Sequence, residues 1–208
     1  PNYATGHHWY ALYLSAMGRH DEAIAEMKRA QELDPFSIII NTELGLPYLF
    51  AGRYDEAIAQ LGKAIEMDPN FAFAHLALAQ AYEGNGKYEQ AIAEREESIR
   101  LSGGDIPSAW VALAGQLKQA YQTLGEKGYW QKQLEVAKKL YEQHEAPAEQ
   151  VAEMYAIVGD KDEAFAWLEK SYEQHEDALV FLKIRQAFDD LRPDPRFADL
   201  TRRVGLPQ

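Results

Sequence analysis

Apolar residues in the first hundred positions recur at helical spacing, and the pattern restarts at a fixed interval. Ala23, Ile24, Met27, Ala30 and Leu33 share one face of a helix that Gly18 precedes and Pro35 stops. The stretch from Gly52 to Pro69 repeats that arrangement with Ala57, Ile58, Leu61, Ala64 and Ile65, and Gly86 opens a third copy with Ala91 and Ile92. The glycines at 18, 52 and 86 are 34 residues apart both times, and Ala23, Ala57 and Ala91 keep the same period. A fixed period in this range marks a solenoid of repeated supersecondary units. Each unit reads as helix A, a short turn and helix B. The first has helix A from about Tyr3 to Met17 and helix B from near Asp21. The second has Ile38–Ala51 and Tyr54–Met67, and the third Phe71–Asn85 and Tyr88–Leu101. Glycine ends each helix A because it takes the left-handed conformation of a helix C-cap at little cost. Ala11, Gly45 and Ala79 fall at one helix A position, where small side chains let the paired helices approach closely.

Beyond residue 101 the period stretches. Ser102-Gly103-Gly104-Asp105 predicts a longer loop, with the next helix starting near Pro107 and Trp110, Leu113, Ala114 and Leu117 on the helix A template. From Gly86 to Gly125 is 39 residues, which predicts one extra loop residue and an extra helical turn through Tyr121 to Leu124; from Gly125 to Gly159 the spacing is again 34. Helix B of this fourth unit, Tyr129–His144, carries Trp130 where alanine is expected, so irregular packing is predicted there. A fifth unit follows with Pro147–Val158 and Lys161–His175. Ala178–Ile184 and Ala187–Leu191 then read as short helical pieces, and Asp194-Pro195 starts a last helix ending near Val204. The predicted divisions are 1–104, holding three regular units (1–35, 36–70, 71–104), then 105–145, 146–176 and a cap over 177–208.

The repeat resembles the tetratricopeptide repeat family. The second unit matches that pattern at Leu44-Gly45, Tyr48, Gly52, Ala57, Leu61, Ala64 and Pro69. The first matches at Gly18, Ala23, Met27, Ala30 and Pro35, and the third at Leu78-Ala79, Tyr82, Gly86 and Ala91. The third departs at Arg95 and Ser98, and Gly103 stands where proline belongs. The resemblance implies an all-α fold: a right-handed superhelical solenoid of about five helical hairpins plus a C-terminal helical cap. The tail, from Phe181-Leu182-Lys183 through Arg192-Pro193-Asp194-Pro195 to Gly205-Leu206-Pro207, resembles the carboxyl ends of bacterial repeat proteins that follow winged-helix, protein kinase or adenylate cyclase domains. Pro1 stands like the tail of a turn such as Asp68-Pro69-Asn70, which reads as a fragment cut at a repeat boundary.

Composition narrows the function. The formal net charge of −12 argues against nucleic acid and anionic membrane surfaces as partners. There are no cysteines, which excludes disulfides and thiolate metal sites. No apolar run is long enough for a membrane span, and the expected compartment is the cytoplasm, or the periplasm if a parent protein carries a span. The six histidines show no His-Glu-x-x-His spacing, and no phosphate-binding glycine loop or Gly-x-Ser-x-Gly elbow occurs. Pairs such as Glu96-Glu97 and Asp189-Asp190 read as solvated faces. The expectation is a non-enzymatic chain with no cofactor and no metal.

Binding is the remaining class. The resemblance implies a concave face lined by helix A positions 2, 5, 9, 12 and 13. These are Thr5, His8, Leu12, Ser15 and Ala16; Ile39, Thr42, Leu46, Leu49 and Phe50; and Phe73, Leu76, Gln80, Glu83 and Gly84. None is Lys, Arg or Asn, so the carboxylate clamp of chaperone-binding members is not expected. The predicted partner site is an apolar groove of Leu12, Ile39, Thr42, Leu46, Leu49, Phe73, Leu76, Gln80 and Glu83, taking a peptide or helix, with Gln80 and Glu83 orienting the ligand backbone. Pro47 lies inside helix A of the second unit, frees the carbonyl of Glu43 and predicts a kink. The alternative is a self-associating or regulatory segment of a larger bacterial signalling protein, dimerising through Tyr3, Trp9, Tyr10 and Tyr13.

Overall fold

The structure is a computed structural model that describes residues 2–103 and 108–206, the first seven of the latter by backbone alone. The described residues form helices α1 (Ala4–Ala16), α2 (His20–Leu33), α3 (Ile38–Glu43), α4 (Gly45–Phe50), α5 (Tyr54–Met67), α6 (Ala72–Gly84), α7 (Tyr88–Leu101), α8 (Ser108–Glu142), α9 (Ala148–Val158), α10 (Lys161–Glu173) and α11 (Pro195–Val204). Two 3₁₀ turns, Asp177–Phe181 and Gln186–Leu191, precede α11. The chain divides into two compact units, Pro1–Ile106 and Pro107–Gln208.

In the first unit the helices pack as antiparallel pairs, α1 on α2, α3 and α4 on α5, and α6 on α7. Gly18, Gly52 and Gly86 close the A helices at φ of 72°, 70° and 68°, the left-handed conformation that sets the turn into each helix B. Helix B then opens with carboxylates in its first turn, Asp21 and Glu22 in α2 and Asp55 and Glu56 in α5, where the helix dipole favours negative charge. The core runs through Ala11, Ile24, Met27, Ile40, Leu44, Leu61, Ala77 and Leu78. Close approach is tight at Gly45: a Cβ added there would lie 2.6 Å from Cγ of Leu61.

The second helix A is broken into α3 and α4 at Leu44. Pro47 supplies the physical reason, because it has no N–H to give to the carbonyl of Glu43. The expected single helix Ile38–Ala51 is therefore two short ones. The two segments expected around Gly125 instead form α8, which is helical on both sides of a kink at Gly125 (φ 62°, ψ −148°). Close approach across this kink falls at Gly128, where a Cβ would meet the carbonyl oxygen of Ala120 at 2.4 Å. Trp130 is freed from the alanine's role and packs against the cluster of Ala137, Val151 and Met154. The loop expected through Gly104 and Asp105, and the helix start at Pro107, lie outside the described residues, as do the side chains of Trp110, Leu113 and Ala114.

In the second unit α9 and α10 pair, and the 3₁₀ turns and α11 close over them. Ala152, Phe165, Leu168, Leu179, Leu182, Phe188, Leu191, Phe197 and Leu200 form one buried cluster. Pro147, the residue before α9, offers no side-chain cap. Glu176 does so from beyond α10: its carboxylate accepts from the N–H groups of Ala148 at 2.7 Å and Glu149 at 3.0 Å, and from Ser171 Oγ at 2.5 Å. Glu149 points inward from the same turn. Its Oε1 lies 3.0 Å from Nε of Arg185, whose Nη1 donates to Glu153 at 2.7 Å. Neither Glu149 Oε1 nor Arg185 Nε finds a hydrogen-bond partner, so the two groups meet at close range without a directional bond. Burial, opposed by Arg185 and reinforced by Glu153 and Glu176, pushes the Glu149 carboxyl up to about 8.

Candidate functional site: the open face of the A helices

The A helices of the first unit lie side by side, with α1 against α4 and both α3 and α4 against α6. Their repeat positions divide into an open stripe and a seam. Position 2 is open throughout: Thr5 is exposed, Ile39 is 49% exposed and Phe73 38%. Position 9 follows, with Leu12 and Leu46 half-buried and Gln80 exposed. Leu49, Phe50 and Leu76 are also half-buried, and Leu12, Leu46 and Leu49 rest on the core beneath. Seven of the nine residues expected to form a groove thus reach the surface: Leu12, Ile39, Leu46, Leu49, Phe73, Leu76 and Gln80.

Thr42 and Glu83 do not, and each has a reason. Positions 5 and 12 border the seam between neighbouring helices, half-buried at Leu76 and Leu49 and closed over at Thr42 and Glu83. Thr42 is fully buried there, and His8, its equivalent in the first unit, is buried with Nε2 2.5 Å from a carboxylate oxygen of Glu43 on α3. Glu83 is drawn inward by Arg95. The repeat wants a large apolar residue at position 95, as Met27 and Leu61 supply; arginine there needs a counter-ion. Arg95 Nε donates to Oε1 of Glu83 at 2.8 Å and Nη2 to Oε2 at 2.9 Å, a bidentate pair with side chains 9% and 8% exposed. The Glu83 carboxylate is therefore committed to the core and does not orient a ligand.

A second polar pattern supports these helices from beneath. His7 Nδ1 lies 2.6 Å from Glu26, and His75 Nδ1 lies 2.6 Å from Glu94 while its Nε2 is 3.1 Å from the carbonyl of Pro69. The two pairs are 68 residues apart, twice the period, and the middle unit substitutes Asn41 and Gln60 at the same places. There Gln60 donates to the Asn41 carbonyl at 3.0 Å and Gln31 to its side-chain oxygen at 2.6 Å. Aligning the units by their glycines reveals this pairing in the sequence; reading each histidine alone does not. Among the described residues no group of three or more His, Asp or Glu is placed to hold a metal ion.

Two family models match this part of the chain. One, described as TPR repeat, covers residues 48–86, and the other, Tetratricopeptide repeat, covers 4–37 and 74–105. The helical hairpins of the first unit are thus similar in sequence to tetratricopeptide repeats. A crystal structure of a thermophilic TPR protein from Thermus thermophilus is similar over 89% of this chain and 99% of its own, with 22% identity and a TM-score of 0.61. That likeness extends the helical-repeat fold into the second unit. No curated protein matches. Tetratricopeptide repeats are scaffolds for protein–protein interaction, and among the described residues of this chain no helix is long and apolar enough to cross a membrane.

Proposed function

We propose that the chain is a non-enzymatic scaffold that binds a protein segment, an amphipathic helix or an extended peptide, on the open face of α1, α3, α4 and α6. The observation that carries the reading is the exposure of Ile39 and Phe73 at one repeat position beside half-buried Leu12, Leu46, Leu49 and Leu76. Side chains that rest on a core and still reach solvent make a surface that a partner's apolar face can cover. Gln80 is an exposed polar group within the stripe and hydrogen-bonds the ligand. The net charge of −12 favours a neutral or basic protein partner over nucleic acid or an anionic membrane. The test compares the full chain with Ile39→Glu/Phe73→Glu and with Phe36→Glu, a control on an exposed turn. Partners captured by each are identified, then titrated by calorimetry. A partner that binds the wild type and the control but loses at least tenfold in affinity for the double variant supports the groove. A partner that binds all three equally sinks it.

A second reading makes the chain a self-associating segment of a larger regulatory protein. The exposed aromatic side chains of Tyr3, just before α1, and of Trp9, Tyr10 and Tyr13 within it favour it; they are 67%, 64%, 47% and 55% exposed.

A further inference from the structure

The stretch between α10 and α11 is fastened to the second unit mainly by its side chains. The chain leaves α10 through His175 at φ 55° and runs into two 3₁₀ turns, whose hydrogen-bond geometry is poorer than that of an α-helix. Leu179 donates to the carbonyl of Glu176 at 3.4 Å, and Leu182, Phe188 and Arg192 donate at 3.2 Å to the carbonyls of Leu179, Arg185 and Asp189. Leu179, Leu182, Phe188 and Leu191 are buried in one cluster with Ala152 of α9 and Phe165 and Leu168 of α10. At the far end Lys161 Nζ holds the carbonyl of Asp190 at 2.8 Å. The remaining attachment is a charged cluster at the start of α9.

Three carboxylates and one guanidinium meet there. Glu176 has donors of its own, the N–H groups of Ala148 and Glu149 and the hydroxyl of Ser171. Glu153 accepts from Arg185 Nη1 at 2.7 Å. Glu149 has the least provision: its side chain is 3% exposed, and its Oε1, 3.0 Å from Arg185 Nε, finds no hydrogen-bond partner. The lysines of the flanking helices point elsewhere. Lys138 of α8 lies 3.3 Å from the hydroxyl of Tyr155, and Lys170 of α10 lies over the rings of Tyr141 and Trp167. One arginine against three carboxylates leaves an excess of negative charge, and Glu149 is the carboxyl best placed to remove it by keeping its proton.

We infer that residues 177–191 form a strap latched by protonated Glu149: when that carboxyl ionises, the strap opens locally about His175 and bares the apolar face of α9 and α10, while the α9–α10 hairpin stays folded. The sign follows from the surroundings. Burial is the largest influence and favours the acid form; Arg185 opposes it, and Glu153 and Glu176 reinforce it. Together they push the carboxyl up to about 8 in the closed form, against an ordinary value of 4.5 that opening restores. Closure therefore takes up a proton. The ratio of closed to open strap falls about tenfold per pH unit between these limits and levels off above about pH 8.

Amide hydrogen exchange of the full chain from about pH 6 to 8.5 tests this on wild type, Glu149→Gln and Glu153→Gln. Rates are expressed as protection relative to an unstructured chain at each pH. In wild type the strap amides of Leu182, Ile184 and Phe188 are expected to lose protection about tenfold per pH unit up to about pH 8, and amides inside α9 and α10 are expected not to follow. Glu149→Gln, neutral throughout, is expected to keep strap protection constant. Glu153→Gln removes one carboxylate that favours the acid form, so its levelling-off moves to lower pH; it carries the comparison if Glu149→Gln does not fold. Strap protection in wild type that changes by less than about threefold per pH unit overturns the latch. So does a Glu149→Gln strap that falls as steeply as wild type. Loss of protection in α9 and α10 in step with the strap overturns it too, because the unit then opens as a whole.

Discussion

The Glu83–Arg95 pair gives the sharpest quantitative expectation. Both side chains are more than nine-tenths buried and joined by two hydrogen bonds of 2.8 and 2.9 Å. Replacing Glu83 by alanine leaves a guanidinium in the interface between α6 and α7 with its carboxylate gone. Breaking a buried pair in this way costs about 3–5 kcal/mol. At about 4–8 °C per kcal/mol for a unit of this size, the first unit should melt more than about 10 °C lower. The double variant Glu83→Leu/Arg95→Leu restores an apolar residue at the position that Met27 and Leu61 fill and removes both charges together. It is expected to lie between neutral and about 4 kcal/mol more stable than wild type. Urea denaturation of the full chain followed by circular dichroism, with amide exchange of α6 and α7 to assign the transition, reads wild type, Glu83→Leu, Arg95→Leu and the double variant as the four corners of one cycle, with Glu83→Ala measured alongside. A Glu83→Ala loss below about 1 kcal/mol, or a double variant that suffers the sum of both single losses, would refute the account of Arg95 as a core residue held by its counter-ion.

Two further expectations concern the second unit. Because burial raises the Glu149 carboxyl to about 8 from an ordinary value near 4.5, the folded state holds a proton that the unfolded chain releases. Its stabilising contribution is full below about pH 4.5 and is lost as pH rises through 8. Glu149→Gln should flatten the fall in stability of the second unit between about pH 5 and 9, measured by denaturation at several pH values; an unchanged slope removes Glu149 as its source. His144, just past α8, sits at φ 59°, a left-handed conformation that burdens any residue with a Cβ. His144→Gly should therefore stabilise by about 0.5–1 kcal/mol, seen as a higher denaturation midpoint, and a lower midpoint would mean the side chain contributes more than its backbone geometry costs.

The hairpins were legible because the repeat states each structural decision three times. Gly18, Gly52 and Gly86 mark the same left-handed turn, and Ala23, Ala57 and Ala91 the same close contact, so local signals reinforce one another. Pro47 announced its break in advance, since a missing N–H acts on its own helix. The seam was not legible. Whether Thr42 or Glu83 faces solvent depends on the neighbouring helix and on a compensating residue twelve positions away, and a register carried from a family pattern knows neither. Arg95 was visible as a departure, and so was an acidic residue within reach of it, but pairing them required knowing that α6 and α7 face each other at that level. Trp130 was legible as an exception and not in its consequence, because the close contact moved to Gly128 through the kink at Gly125. The polar pairs of His7 with Glu26 and His75 with Glu94 sat in the period itself and needed only comparison between units.

The way Glu176 reaches back to the first turn of α9 bears on how such a chain can change over time. Repeat arrays lengthen by duplicating a unit. A copy inserted directly after α10 would carry Glu176 away from Ala148 and Glu149 and strand their N–H groups without an acceptor. In the first unit the corresponding start of α3 is capped by Ser37, the residue directly before it, so a hairpin added or removed after its partner helix leaves that end satisfied. Growth and loss of repeats are thereby steered to the front of the chain, and the closing hairpin is inherited together with the segment that follows it.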